Sequence, residues 1–304
     1  MPELPDVLVC GVGGALGEAW MRGLLNGMAD GAGLDLRRCE HFVGSSAGSI
    51  VTAVLAAGER PDAGARAAAA WGDAADGTPE PVGDSTLARS AARAAGRAGA
   101  AMLTPVVPLA LAATAPGGAL VRAAALRAVP RGRQQLDRLG ELIEGLGSRF
   151  DGRLRIAAVD RARGRRVLFG APGAPPARVR EAVLASCAVP AVFPPVRIGD
   201  REYVDGGVWS PTNLDAAPVR RGAHVVCLNP TASLPASSRA LSALRTASRA
   251  AARAEALALR ARGAEVELIT PDAASAATMS GGLMNARNRA AVLAAGYAQG
   301  RRAP

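Results

Sequence analysis

The chain alternates short apolar runs with longer segments whose apolar residues recur every three or four positions. VLVC (7–10) ends in GVGGALG and opens the periodic segment GEAWMRGLLNGM, the pattern of a strand, a glycine turn and a helix. HFVG (41–44) repeats it, followed by SSAGSIVTAVLAAG, whose spacing suits a buried helix ending at Gly58. Two such units in succession predict a parallel sheet covered by helices. RLRIAAVD (153–160) and RRVLFG (165–170) read as further strands, with a hairpin across Arg161 to Gly164. Residues 175–190 form a predicted helix with proline near its start, and VVCLNP (225–230) a buried strand. A long helix over 238–263, a strand over 264–271 and a closing helix over 282–300 complete the series.

Residues 60–150 differ in character. They are rich in Ala and Arg, broken by Pro and Gly, and carry no clear strand. Arg89, Arg93 and Arg97 recur every four residues and would share one helical face, ordinarily a solvated one. No internal repeat or linker divides the chain. The expectation is an α/β fold: a single three-layer α/β/α domain over 1–304 with a mainly parallel central sheet. Its strands should lie near 7–10, 41–44, 153–159, 225–229 and 265–270, with 60–150 a helical, cap-like insertion over their carboxyl ends.

Composition narrows the function classes. A chain of 304 residues that is 49% apolar can bury a sizeable core, and with 3% aromatics that core must be mainly Ala, Val and Leu. A net charge of +10 invites nucleic acid or an anionic membrane as partner. All 36 basic residues are arginine, however, and alanine use is heavy, which reads as the bias of a GC-rich genome. No aromatic-plus-basic motif supports nucleic-acid binding. Cys10, Cys39, Cys187 and Cys227 are far apart without a C-x-x-C pair, so neither a zinc site nor a disulfide scaffold is expected. The N-terminal MPELPDVLVCGVGG lacks a basic leader with a long apolar run, and residues 101–114 are too short and proline-broken to span a bilayer. A reduced, cytoplasmic protein without metal or cofactor is the expectation, with at most peripheral membrane contact.

Candidate chemistry begins at VGSSAGSI (43–50), which holds Gly-x-Ser-x-Gly with Ser46 at its centre. Between a strand and a helix this pattern suits a nucleophile elbow, flanked by Gly44 and Gly48 because side chains there would collide across the turn. A tight βα turn that happens to contain two serines fits the same residues. A nucleophilic serine needs a base, and the chain has two histidines. His41 begins the strand that ends at Ser46, about 16 Å away; His224 likewise precedes a strand. Chemistry in open α/β sheets gathers at the carboxyl ends of strands, so both stand at the wrong end. A carboxylate could serve instead. In EYVDGGVWSPTN (202–213), Asp205 ends an apolar run and enters the turn Gly206-Gly207, although an Asp-Gly β-turn is the ordinary meaning of that pair.

Three blocks together resemble the patatin-like phospholipase family: CGVGGALGEAW (10–20), GSSAG (44–48) and ASCAVPAVFPPVRIGDREYVDGGVWSPTNLDAA (185–217). The likeness covers about 1–58 and 150–300. It implies a three-layer patatin-like fold and a histidine-free dyad, with Ser46 as nucleophile and Asp205 as direct base. It also implies an oxyanion hole from the N–H groups of Gly13 and Gly14, in a loop closed by Gly17. Donors at a helix start point towards developing negative charge, so the assignment is physically coherent. Two positions depart from the family pattern: Val12 replaces a glycine, and Leu16 replaces a basic residue.

The expected activity is therefore lipid acyl hydrolysis through an acyl-Ser46 intermediate, on a lipid or other acyl-ester substrate. The alternatives are a soluble carboxylesterase or thioesterase and a catalytically silent, regulatory member of the fold. An ordinary α/β-hydrolase needs a histidine after its acid, and none follows His224. A dinucleotide-binding reading of Gly11-x-Gly13 wants an acid ending the second strand, yet Asp30 and Asp35 precede that strand. Oligomeric state is not legible. If the arginine excess has a role, Arg89, Arg93, Arg97, Arg122 and Arg127 should ring the mouth of the site. If it is compositional, arginines should be scattered over the surface.

Overall fold

The structure is a computed structural model that describes residues 3–61, 118–234, 239–279, 283–284 and 286–302. Strand β1 (Val7–Cys10) leads into helix α1 (Gly14–Ala32), and β2 (His41–Ser45) into α2 (Ala47–Ala56). Helices α3 (Gly118–Ala128) and α4 (Asp137–Gly145) precede β3 (Leu154–Asp160), β4 (Arg165–Phe169) and α5 (Val179–Cys187). Next come β5 (Val196–Ile198), β6 (Arg201–Asp205), β7 (His224–Leu228), α6 (Arg239–Ala261) and β8 (Glu265–Ile269). Helices α7 (Ala273–Thr278) and α8 (Arg289–Arg301) end the series.

These elements build one sheet in the order β5-β6-β3-β2-β1-β7-β8, with β4 paired to β3. Strands β3, β2, β1, β7 and β8 are mutually parallel, whereas β4, β5 and β6 pair antiparallel, so the sheet is mixed. The five expected strands lie within about a residue of their expected positions, and β3 and β4 form the expected hairpin. The three-residue β5 is too short for periodicity to mark it.

Alternation along the strands divides the core. Leu8, Cys10, Phe42, Ile156 and Leu228 pack with α1, α2, α4 and α5 on one face. Val7, Val9, Val43, Val225 and Cys227 pack on the other with Ala256 and Leu259 of α6. Both faces are covered, as a parallel sheet requires. All four cysteines are free and buried.

The pairing of β3 decides where the two strand ends relevant to chemistry meet. Along one edge β3 pairs with β4. Along the other it pairs first with β2, ending at Ser45 opposite Ala157, and then with β6, ending at Asp205 opposite Ala158. β2 runs parallel to β3 and β6 antiparallel. The two strands therefore meet head to head on a shared edge, each directing its carboxyl end at the other.

Of the arginines expected around the site's mouth, Arg89, Arg93 and Arg97 lie outside the described residues. Arg122 does not face solvent: it is fully buried, donates to the Gly164 carbonyl and stacks 4.5 Å from the centre of the Trp209 ring. An aromatic face compensates part of the cost of removing a guanidinium from water. Arg127 is exposed.

Candidate active site

The turn after β2 is strained. Ser46 has φ 52° and ψ −122°, outside the regions comfortable for a residue with a Cβ, and it immediately precedes the first turn of α2. Glycine at 48 is required by close approach, because a Cβ there would stand 1.9 Å from the Cys10 carbonyl of β1. The elbow is pinned from outside: the Ser46 N–H donates to Ser186 Oγ at 2.8 Å, and Ser186 in turn donates to the Ala157 carbonyl at 2.7 Å. The Ser46 side chain is thus held at the carboxyl end of the sheet, 4% exposed.

Asp205 faces it across the head-to-head junction. Its backbone N–H donates to the Ala188 carbonyl at 3.0 Å, and its Oδ1 accepts from the Gly207 N–H at 2.7 Å. Burial pushes the carboxyl up to about 7 from an ordinary 3.8, while the Ser46 hydroxyl and the Gly207 N–H pull it part of the way back. Oδ2 makes no hydrogen bond of full geometry. The Ser46 hydroxyl is nonetheless near enough to lower the pKa of the carboxyl. No cationic side chain contributes to the shift.

The loop after β1 emerges beside this junction, since Cys10 pairs with Gly44. Gly13 caps α1 and Gly14 is its first residue, with φ 60°. Among the described residues, no acceptor takes the N–H groups of Gly13 and Gly14. Val12 N–H donates to the Pro211 carbonyl, and its side chain leans over Gly207, locking this loop to the Asp205 turn. Leu16 is fully buried in the apolar core, so that position offers no charge at the helix start. Gly17 packs against Pro230, which leaves no space for a side chain.

Both histidines begin strands, His41 in β2 and His224 in β7, at the end of the sheet away from Ser46. A cleft of about 610 Å³ opens at that same end, lined by Asp6, His41, Arg155, Arg166, Asp215 and Arg220 among others. It is not the site of Ser46. Sequence reading missed Ser186 and Asn213, both fully buried and both bonded into the elbow. Their only signal was position inside the long third block.

A family model described as Patatin-like phospholipase matches residues 8–218. No curated protein sequence matches the chain. Among solved structures, VipD from Legionella pneumophila is similar at 16% identity with a TM-score of 0.43. That match covers 98% of this chain and 66% of the other, so this chain spans just under two thirds of that structure's length. The family match takes in β1 to the turn beyond Asp205, well over half of the sequence: the chain belongs to the patatin-like phospholipase family.

Proposed function

We propose that the protein is a serine lipid acyl hydrolase that cleaves carboxylic ester bonds with a Ser46–Asp205 dyad. The observation that carries this reading is the meeting of a strained, pinned serine with a fully buried carboxylate whose pKa lies near neutrality. In the first half-reaction Ser46 Oγ attacks the ester carbonyl carbon as Asp205 takes its proton. The N–H groups of Gly13 and Gly14 bind the oxyanion of the tetrahedral intermediate. Collapse breaks the bond to the leaving alcohol, which receives the proton from Asp205. Water then attacks the acyl-Ser46 ester, giving its proton to Asp205, and the acid leaves as Ser46 recovers its hydrogen. A base with a pKa near the working pH suits both directions of transfer.

Membership of the family supports lipid hydrolysis in general. Phospholipid as substrate, residues 60–150 as a cover within a single domain, and a cytoplasmic location with peripheral membrane contact belong to the same proposal. Among the described residues, no helix is long and apolar enough to cross a membrane.

The test is a hydrolysis screen over p-nitrophenyl esters of rising chain length and a phospholipid panel, with fluorophosphonate labelling alongside. Ser46→Ala should abolish turnover and labelling with the fold intact, and Asp205→Asn should cost about 10²-fold or more. His41→Ala and His224→Ala should retain activity. Loss in either histidine variant with unimpaired folding would refute the dyad, and activity confined to short water-soluble esters would make the protein a carboxylesterase.

A further inference from the structure

Behind the dyad stands a buried amide that touches both of the strand ends on which it is built. Asn213 is fully buried and holds φ 50°, a left-handed conformation that asparagine tolerates better than most residues. Its Nδ2 donates to Ser45 Oγ at 3.1 Å, to the Gly206 carbonyl at 3.3 Å and to the Ser210 carbonyl at 2.7 Å. Ser45 is the residue before the elbow serine, and Gly206 follows the buried carboxylate. Its Oδ1 accepts from Arg166 Nη1 at 3.2 Å, and Arg166 is itself locked in a two-point ion pair with Asp215 at 2.6 and 2.7 Å. The turn that carries Asn213 is fixed in addition by Glu255 of α6, which accepts from Thr212 Oγ1 at 2.6 Å and the Leu214 N–H at 2.8 Å.

No backbone hydrogen bond can hold β2 and β6 together where they meet, because strands that abut end to end share a neighbour and not a ladder. We propose that Asn213 is a positioning residue for the reaction: its side-chain amide clasps the ends of β2 and β6 and sets the separation of Ser46 from Asp205. The inference rests on the dyad reading for its effect on turnover, while the clasp itself is a statement about geometry. A displacement of about 1 Å in a reacting group can cost about 10²-fold, so the clasp matters to kcat without touching substrate.

The experiment compares Asn213→Gly, Asn213→Asp and Ser45→Ala with the wild type. Glycine keeps the left-handed backbone and removes the amide. Aspartate keeps an acceptor for Arg166 and removes the donor. Both should melt cooperatively, hydrolyse p-nitrophenyl butyrate with kcat lowered about 10- to 100-fold and KM within about twofold, and label more slowly with fluorophosphonate. Ser45→Ala removes one acceptor alone and should give a smaller loss of kcat. Crystal structures provide the readout that needs no activity: in Asn213→Gly the Ser46 Oγ to Asp205 carboxylate separation should widen by about 1 Å or more. A folded Asn213→Gly with unchanged separation overturns the proposal, as does wild-type kcat in Asn213→Asp. If Asn213→Gly does not fold, an unchanged separation and kcat in Ser45→Ala overturns it. A wild type that neither hydrolyses nor labels would sink the dyad reading instead, and the crystallographic comparison would still decide the clasp.

Discussion

Asp205 has two opposed demands on it. A carboxylate held near neutrality by burial is a competent base, but its burial weakens the fold once it ionises. The folded-state pKa is about 7 against an ordinary 3.8, so the native protein binds the extra proton between those values. Stability associated with this group is fully present below about pH 4 and is lost as pH rises through 7. Asparagine can still accept from Gly207 and carries no charge to desolvate. Asp205→Asn should therefore be more stable than the wild type at pH 8, by on the order of a few kcal/mol, and melt at a higher temperature, and the difference should vanish towards pH 4. Equal midpoints at pH 8 would mean that the carboxylate is not held up by burial. The same group sets the pH profile of the proposed reaction: kcat/KM should fall about tenfold per unit below pH 7, with no second limb from a histidine. His41 is too far from Ser46 to intervene, and burial together with Arg155 lowers its own pKa.

At the scale of elements, the position of α1 matters most to the proposed oxyanion site, because Gly13 caps that helix and Gly14 is its first residue. That helix is fixed by α8 through unusually close contact: a Cβ on Gly23 would stand 2.1 Å from the Leu293 carbonyl, and one on Gly27 2.2 Å from that of Tyr297. Gly296 and Gly300 of α8 face Trp20 and Leu24 in the same manner. Glycines that look like defects in a helix are here the condition for backbone-to-backbone packing. Polar contacts reinforce it, with Gln299 accepting from Trp20 Nε1 at 2.9 Å and Arg289 paired to the buried Glu18 at 2.7 Å. Gly27→Leu should therefore destabilise by about 1–3 kcal/mol or more. Gly145→Ala, at a position where a Cβ meets open space, should be neutral or slightly stabilising. Thermal melts of the two variants check this, and similar midpoints for both would contradict the packing argument.

Across the whole molecule, the arginine excess is partly absorbed by internal pairing. Arg37 with Asp35, Arg153 with Asp151, and Arg220 with Asp6 and Glu40 cluster at the amino-terminal ends of the strands, away from Ser46. Arg122 is buried. Exposed ion pairs of this kind contribute little to stability, but they lower the charge presented to a surface. Co-sedimentation with phosphatidylcholine vesicles should accordingly be weak and change little when anionic lipid is added. Binding that rises steeply with anionic lipid and falls with salt would show recruitment by arginines, at roughly 1 kcal/mol per residue near the bilayer.

The sequence by itself determined the repeating strand–turn–helix order, because hydrophobic period is a local property that needs no partner to be read. It also located Ser46 and Asp205 as chemical candidates, since Gly-x-Ser-x-Gly and Asp-Gly-Gly each need only a few consecutive residues. The tertiary structure decided which strand ends meet. That β6 abuts β2 on the shared edge of β3 follows from pairing of β3 with two strands distant from it in the chain, for which no short pattern exists. Ser186 and Asn213 were illegible for the same reason: a buried serine or asparagine is unremarkable until its partner across the junction is known. Burial of Arg122 was equally hidden, because an arginine on a helix reads as solvated until Trp209 is seen beneath it.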